Sequence, residues 1–206
     1  MMHGIQFNPL LLLSYIIGAF PTAVLIGKAL GVVDLTQHGS GNSGATNAGR
    51  ILGWPFFIVV LLIDVFKAYA TIAFCGFIQQ QGYYALPLEV YALLLLIGNG
   101  YSYFLGFKGG KGIATMIGII LYFFPLEILL CMLLLWVIFF CLTRKAGIAS
   151  VGCLSVFPFL IYRYTPIIHT HTLILTLFMS IFGLYRHRTN INNYIASFYR
   201  DTLPNK

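Results

Sequence analysis

Charge is what this sequence has least of. Only 8% of its 206 residues are charged, and the acidic ones are just Asp34, Asp64, Glu89, Glu127 and Asp201. Soluble domains carry about 25% charged residues, so a water-soluble globule is excluded. Five scattered carboxylates also rule out a metal-dependent transferase built on clustered aspartates. They leave a Ser-His-Asp triad without its acid. No His-x-x-x-x-Asp pair exists, because the residues five after the histidines are Asn8, Ser43, Ile174, Thr176 and Asn192. His169-x-His171 has no carboxylate beside it and is not read as a metal site. The four cysteines, Cys75, Cys131, Cys141 and Cys153, form no C-x-x-C pair and read as small buried hydrophobes. Internal repeats, Pro-rich linkers and a soluble second domain are absent too, so residues 1–206 read as a single polytopic membrane domain.

Hydrophobic residues make up 59% of the chain, and the mean hydropathy is +0.89. Runs of about 20 apolar residues mean transmembrane helices. The segments expected to span are Pro9–Leu30, Ile51–Phe77, Tyr84–Leu105, Ile113–Phe124, Ile128–Leu142, Gly147–Tyr162 and Ile167–Tyr185. The stretch from Ile113 to Leu142 reads either as one kinked helix or as two helices hinged at Pro125. Counting favours two. With seven spans, Lys28, Arg50, Lys108, Lys111, Arg144, Lys145, Arg186, Arg188, Arg200 and Lys206 all fall on one side, Arg163 alone on the other, and Lys67 within a span. The positive-inside rule then puts the N-terminus outside and the C-terminus inside. The first apolar run has no Lys or Arg before it, which favours an uncleaved first span. The net charge of +7 follows from this topology and an anionic substrate rather than from nucleic acid, since the basic residues form no stripe. Asp64 and Lys67, three apart in the second span, read as a structural ion pair.

Three polar islands interrupt the apolar runs: Gly39–Asn47 with Arg50, Phe107–Gly112, and Arg186–Asn192. The first contains Gly39-x-Gly41-x-x-Gly44, but no strand precedes it, so a dinucleotide fold is rejected. Its glycines still let backbone N–H groups approach a phosphate. Ser40, Asn42, Thr46 and Asn47 add hydrogen-bonding groups, and Arg50, at the start of the second span, adds a bidentate fork. The second, Lys108-Gly109-Gly110-Lys111-Gly112, is not a Walker loop, because Leu105 replaces the first glycine and Gly112 follows the lysine. It leads into a helix at Ile113, whose N-terminus attracts anions. In the third, Arg186, His187, Arg188 and Asn190 would fill about one helical turn, with His187 and Asn190 on one face.

Taken in order, Gly-Ser-Gly-Asn-Ser-Gly-Ala-Thr-Asn-x-x-Arg, Phe-Lys-Gly-Gly-Lys-Gly-Ile-Ala-Thr and His-Arg-x-Asn-Ile resemble the bacterial acyl-phosphate:glycerol-3-phosphate acyltransferases. Gly31-x-x-Asp34 and Leu62-Ile63-Asp64-x-x-Lys67 extend the resemblance over nearly the whole chain. It implies a seven-span helical protein of the bacterial cytoplasmic (inner) membrane with its site on the cytosolic side. The implied reaction moves a fatty acyl group from acyl-phosphate to the sn-1 hydroxyl of sn-glycerol 3-phosphate. The products are lysophosphatidic acid and phosphate. The implied partners are those two substrates and membrane lipid, with no metal, no cofactor and no obligate protein partner. Carried over by position, the anion-site residues are Ser40, Asn42, Arg50, Lys111, His187 and Asn190, with Gly109, Gly110 and Gly112 shaping the glycerol-phosphate loop. Ser40, Arg50, Lys111, His187 and Asn190 are expected in catalysis. Asn42, Thr46, Asn47, Lys108, Gly109, Gly110, Gly112 and Arg188 are expected to bind substrate. The chain departs from the family at Asn193, Ser197 and Tyr199, usually Arg, Gly and Glu, and at Asn99, Ser102 and Ala68, usually His, Pro and Gly. The alternatives are a transporter for a phosphorylated solute and a catalytically silent relative.

Overall fold

Ten α-helices and one 3-10 turn make up the regular structure of the described residues, and no strand occurs among them. The structure is a computed structural model that describes residues 7–31, 35–84, 86–165 and 169–202, the last two by backbone alone. Asp34, the start of the seventh expected span at Ile167, and Lys206 lie outside the described residues. The helices are α1 (Pro9–Ala19), α2 (Thr22–Ala29), α3 (Ala45–Leu52), α4 (Trp54–Gln80), α5 (Leu88–Gly100), α6 (Ile113–Phe123), α7 (Leu126–Thr143), α8 (Ala146–Tyr164), α9 (Thr170–Arg186) and α10 (Arg188–Thr202). The all-α membrane class expected from composition is what the chain adopts. Four described stretches are long and apolar enough to cross a bilayer, or five if α1 and α2 count as one broken span.

Proline sets two of the breaks. The run expected as one span from Pro9 to Leu30 is two helices meeting at 51°. Pro21 has no N–H to give to the Ile17 carbonyl, and the Phe20 N–H takes it instead at 3.3 Å. At Pro125 the disputed stretch divides into α6 and α7, as the charge count favoured. A third break was not foreseen. Arg50 does not open the second span but lies on the separate helix α3, which Gly53 (φ 100°) parts from α4. Only glycine adopts that backbone without strain.

The chain forms two compact units, Met1–Phe123 and Phe124–Lys206. In the first, α1 and α5 touch backbone to backbone. A Cβ on Gly18 would overlap the Leu95 carbonyl, and one on Gly98 the Tyr15 carbonyl. Small residues at such crossings are how membrane helices gain close packing. Gly118 of α6 meets the Val65 carbonyl and Ala68 of α4 in the same way. In the second unit, Gly152 of α8 lies against the Phe139 ring of α7, and Phe124 stacks edge-on against Phe157. The cysteines are all free. Cys75 and Cys153 are buried as expected, whereas Cys131 is half-buried and Cys141 exposed, because α7 is apolar all round and turns most of its surface outward.

Candidate functional site

The three polar islands are motifs one, two and three in chain order, and motif one is a loop seated on the core of the first unit. Leu35 is 1% exposed and packs with Ala23 of α2, Ala45 and Ala48 of α3 and Val60 of α4. Burying one such leucine contributes about 2 kcal/mol. Asn47 then organises the loop around it. Its Nδ2 donates to the carbonyls of Leu35 (2.9 Å) and His38 (3.1 Å). Its Oδ1 accepts from the Ser40 N–H (2.9 Å), the Ser40 hydroxyl (3.1 Å) and Arg50 Nη1 (3.3 Å). Asn47 is 1% exposed, while Ser40 and Arg50 are exposed. The buried amide therefore spends its hydrogen bonds on the loop, and the two residues it holds face outward. Gly39 lies against Asn47 Oδ1 at φ +63°, a backbone and a contact that no side chain would fit. Asn42 folds back to accept the Gly44 N–H at 3.0 Å. Thr46 is exposed. No side chain caps the start of α3.

Motif two is stapled to the end of α5. The Gly110 N–H donates to the Asn99 carbonyl at 2.9 Å. A Cβ on Gly109 would overlap that same carbonyl, so only glycine lets this strand of chain lie there. The turn before it closes through Ser102, whose carbonyl accepts from Leu105 (3.1 Å) and Phe107 (2.8 Å). Phe107 sits at φ 61°. A left-handed non-glycine costs about 1–3 kcal/mol and persists only where its surroundings over-determine it. The motif runs into α6 at Ile113, as the sequence indicated. Lys108 is exposed and Lys111 half-buried. Asn99 Oδ1 is buried without a partner, and a Cβ on Gly110 would lie 3.0 Å from it.

Motif three belongs to the second unit and departs from the single helical turn expected. α9 ends at Arg186, His187 caps it at φ −94°, ψ 4°, and α10 begins at Arg188. His187 is 2% exposed, with Nδ1 2.9 Å from the Gly183 carbonyl. A carbonyl only accepts, so the contact places a proton on Nδ1. Arg188 folds over the Tyr185 ring, 4.4 Å from its centroid, and donates to the Tyr185 carbonyl at 3.1 Å. Asn190 lies on α10 directly against Gly147, where a Cβ would collide with its amide. α10 is tied down by Lys145, which donates to Ser197 at 2.9 Å and lies over the Tyr194 ring.

The first unit thus brings Ser40, Asn47 and Arg50 together, and motif two is built beside Asn99 and Ser102 in the same unit. Sequence reasoning did not single out the seat that Gly147 makes for Asn190. The available signal was a glycine in the first turn of a helix just after Arg144-Lys145. Asn99 and Ser102 had stood out only as departures. No group of three or more His, Cys, Asp or Glu able to hold a metal occurs among the described residues.

A family model described as glycerol-3-phosphate acyltransferase matches residues 9–197. The chain belongs to the glycerol-3-phosphate acyltransferase family. It is 32% identical over 186 residues to the glycerol-3-phosphate acyltransferase of Fusobacterium nucleatum, covering 90% of this chain and 93% of that one. It is 35% identical to that of Staphylococcus carnosus, covering 88% and 91%. It is also similar to crystal structures of PlsY, an integral membrane glycerol 3-phosphate acyltransferase. For the glycerol 3-phosphate form the TM-score is 0.79, with 31% identity and 91% of each chain covered. For the lysophosphatidic acid form the values are 0.78, 30% and 91%. The matched residues take in all three motifs and every departure but Tyr199.

Proposed function

We propose that this chain transfers an acyl group from an acyl-phosphate to the sn-1 hydroxyl of glycerol 3-phosphate, releasing phosphate and leaving lysophosphatidic acid in the membrane. The observation that carries the reading is the likeness, over 91% of the chain, to a membrane acyltransferase whose crystal forms are named for glycerol 3-phosphate and lysophosphatidic acid. The local geometry supports it: motif one holds a serine and an arginine outward on a buried amide, and motif two places two lysines just before the start of a helix. Such sites recognise phosphate.

Acyl-phosphate is already activated, so no covalent enzyme intermediate is needed. The glycerol hydroxyl oxygen attacks the acyl carbon, the bond from that carbon to the phosphate oxygen breaks, and phosphate leaves. Orientation and charge stabilisation lower the barrier. In this reading Arg50 and Lys111 hold phosphates, and Ser40 and Asn190 orient substrate or stabilise the developing oxyanion. Asn42, Thr46, Lys108, Gly109, Gly110, Gly112 and Arg188 line the anion sites, and Asn47 serves by fixing Ser40 and Arg50. The hydroxyl proton passes to His187 Nε2 or to a substrate phosphate. The topology is seven spans in one acyltransferase domain in the inner membrane, N-terminus outside, with the motifs on the cytosolic side.

The test is acyl transfer by protein in lipid nanodiscs with palmitoyl-phosphate, and palmitoyl-CoA as a parallel donor. The expected result is phosphate release that requires glycerol 3-phosphate, with lysophosphatidate formed from the phosphate donor alone. Glycerol 3-phosphate uptake into vesicles without turnover would replace the reading with transport.

A further inference from the structure

Charge buried in a membrane span costs free energy and calls for partners. Asp64 is 5% exposed, and the only other ionised side chain on α4 is Lys67, 2.7 Å from it. Neutralising each other would have been enough for an isolated helix. Here both residues also reach off their own helix. Thr22 donates its hydroxyl to Asp64 Oδ1 at 2.7 Å, and Lys67 Nζ donates to the Phe20 carbonyl at 2.8 Å. Both of these outside partners flank Pro21, where α1 and α2 part at 51°. The Phe20 carbonyl also accepts the Thr22 N–H at 3.1 Å, and carbonyls at a helix break in a membrane call for such donors. An ammonium supplies a stronger one than a neutral group would.

The same break supports both motifs of the first unit. The next carbonyl back, that of Ala19, is taken by the Ser102 hydroxyl. Ser102 in turn closes the turn that ends at Phe107, immediately before Lys108. The Tyr15 hydroxyl adds a second tie from α1, to the Tyr101 carbonyl at 2.8 Å. On the other side of the break, α2 carries Ala23 and Gly27 against Leu35, the buried residue that seats motif one. The bend at Phe20-Pro21 therefore sets how the two loops stand to each other within the unit.

We infer that the Asp64–Lys67 pair is a positioning device for glycerol 3-phosphate. It locks the break between α1 and α2, and through Ser102 and Leu35 it holds motif two and motif one at the spacing one substrate phosphate requires. This rests on the proposed acyl transfer. It bears more on glycerol 3-phosphate than on the acyl donor, because glycerol 3-phosphate is held through its phosphate by the cation-bearing loops, whereas the donor is also held by its acyl chain in the lipid. Loosening the bend should weaken capture of glycerol 3-phosphate far more than capture of the acyl donor.

The experiment measures kcat and both KM values in nanodiscs for wild type, Lys67→Met, Lys67→Arg and Ser102→Ala, with the folded fraction checked by thermal melting. Wild-type turnover comes first, since its failure would remove the acyl-transfer reading itself. With turnover established, Lys67→Met should raise KM for glycerol 3-phosphate about tenfold, with KM for palmitoyl-phosphate and kcat held within about twofold, as expected when a remote change misplaces a binding group. Lys67→Arg keeps a cationic donor and should recover most of the loss. Ser102→Ala removes a single tie and should raise the same KM by roughly threefold. A folded Lys67→Met enzyme with an unchanged KM for glycerol 3-phosphate would overturn the inference. So would a fall in kcat with both KM values fixed, which is the mark of lost active protein. If Lys67→Met does not fold, Ser102→Ala decides by the same split.

Discussion

The two units hold their polar motifs by opposite plans. In the first, a buried polar residue braces a loop and leaves exposed side chains outward. Asn47 is sealed off and fully engaged, and what it holds, Ser40 and Arg50, faces outward. In the second, the buried residue is His187 itself, gripped by the carbonyl of Gly183 at a helix junction, and the exposed Arg188 folds onto Tyr185. Three runs of similar composition thus divide into a scaffolded loop pair and a helix junction. A phosphate needs many converging donors, which a loop supplies cheaply. A single imidazole needs one tautomer and one direction, which a helix junction enforces.

Four substitutions would break or sharpen that contrast. Lys111→Ala should have the largest effect, lowering kcat/KM for glycerol 3-phosphate by about 100-fold or more, the usual loss for a removed charge-stabilising donor. Steady-state kinetics in nanodiscs would read it, and normal kcat/KM would remove Lys111 from the phosphate site. Asn47→Ala should come next. It strands Ser40, Arg50 and two loop carbonyls, and each buried group left unsatisfied costs about 1–3 kcal/mol. A fall in activity together with a lower melting temperature is expected; activity loss with unchanged stability would mean that Asn47 touches substrate instead of bracing the loop. Gly147→Ala should displace the Asn190 amide and lower kcat by roughly tenfold, the scale of a misplaced reacting group. A Gly147→Ala/Asn190→Ser double variant that loses no more activity than Asn190→Ser alone would confirm that the two act as one. The smallest effect belongs to Cys141→Ser, on the outward face of α7, where kcat should stay within about 1.5-fold of wild type, as for surface changes away from any site.

Much of this architecture was legible beforehand. The apolar runs marked the helices, the charge count divided Ile113–Leu142 at Pro125, and the ion pair of Asp64 with Lys67 followed from their spacing. Other features were not legible. Pro21 looked like one more residue of an apolar run, because a proline kink in a membrane span depends on whether neighbours satisfy the freed carbonyls. Here Lys67 and Ser102 do so from distant positions. Arg50 was placed on the second span because Gly53 gave no sign that its backbone would turn to φ 100°. His187 and Asn190 were placed on one helical turn because nothing in Arg-His-Arg-Thr-Asn announces a junction.

The sequence by itself determined the solvent this chain lives in, the helices it must form and the residues able to meet a phosphate. Those properties are summed from local composition and spacing. Only the tertiary structure decided which of the polar residues face outward and which are consumed as braces. That choice depends on carbonyls freed at Pro21 and on glycines that let backbones touch, and these partners lie 42 to 86 residues apart along the chain. Burial favours such partnerships, because an unpaired polar group inside a membrane protein costs on the order of several kcal/mol, comparable to a whole fold's margin.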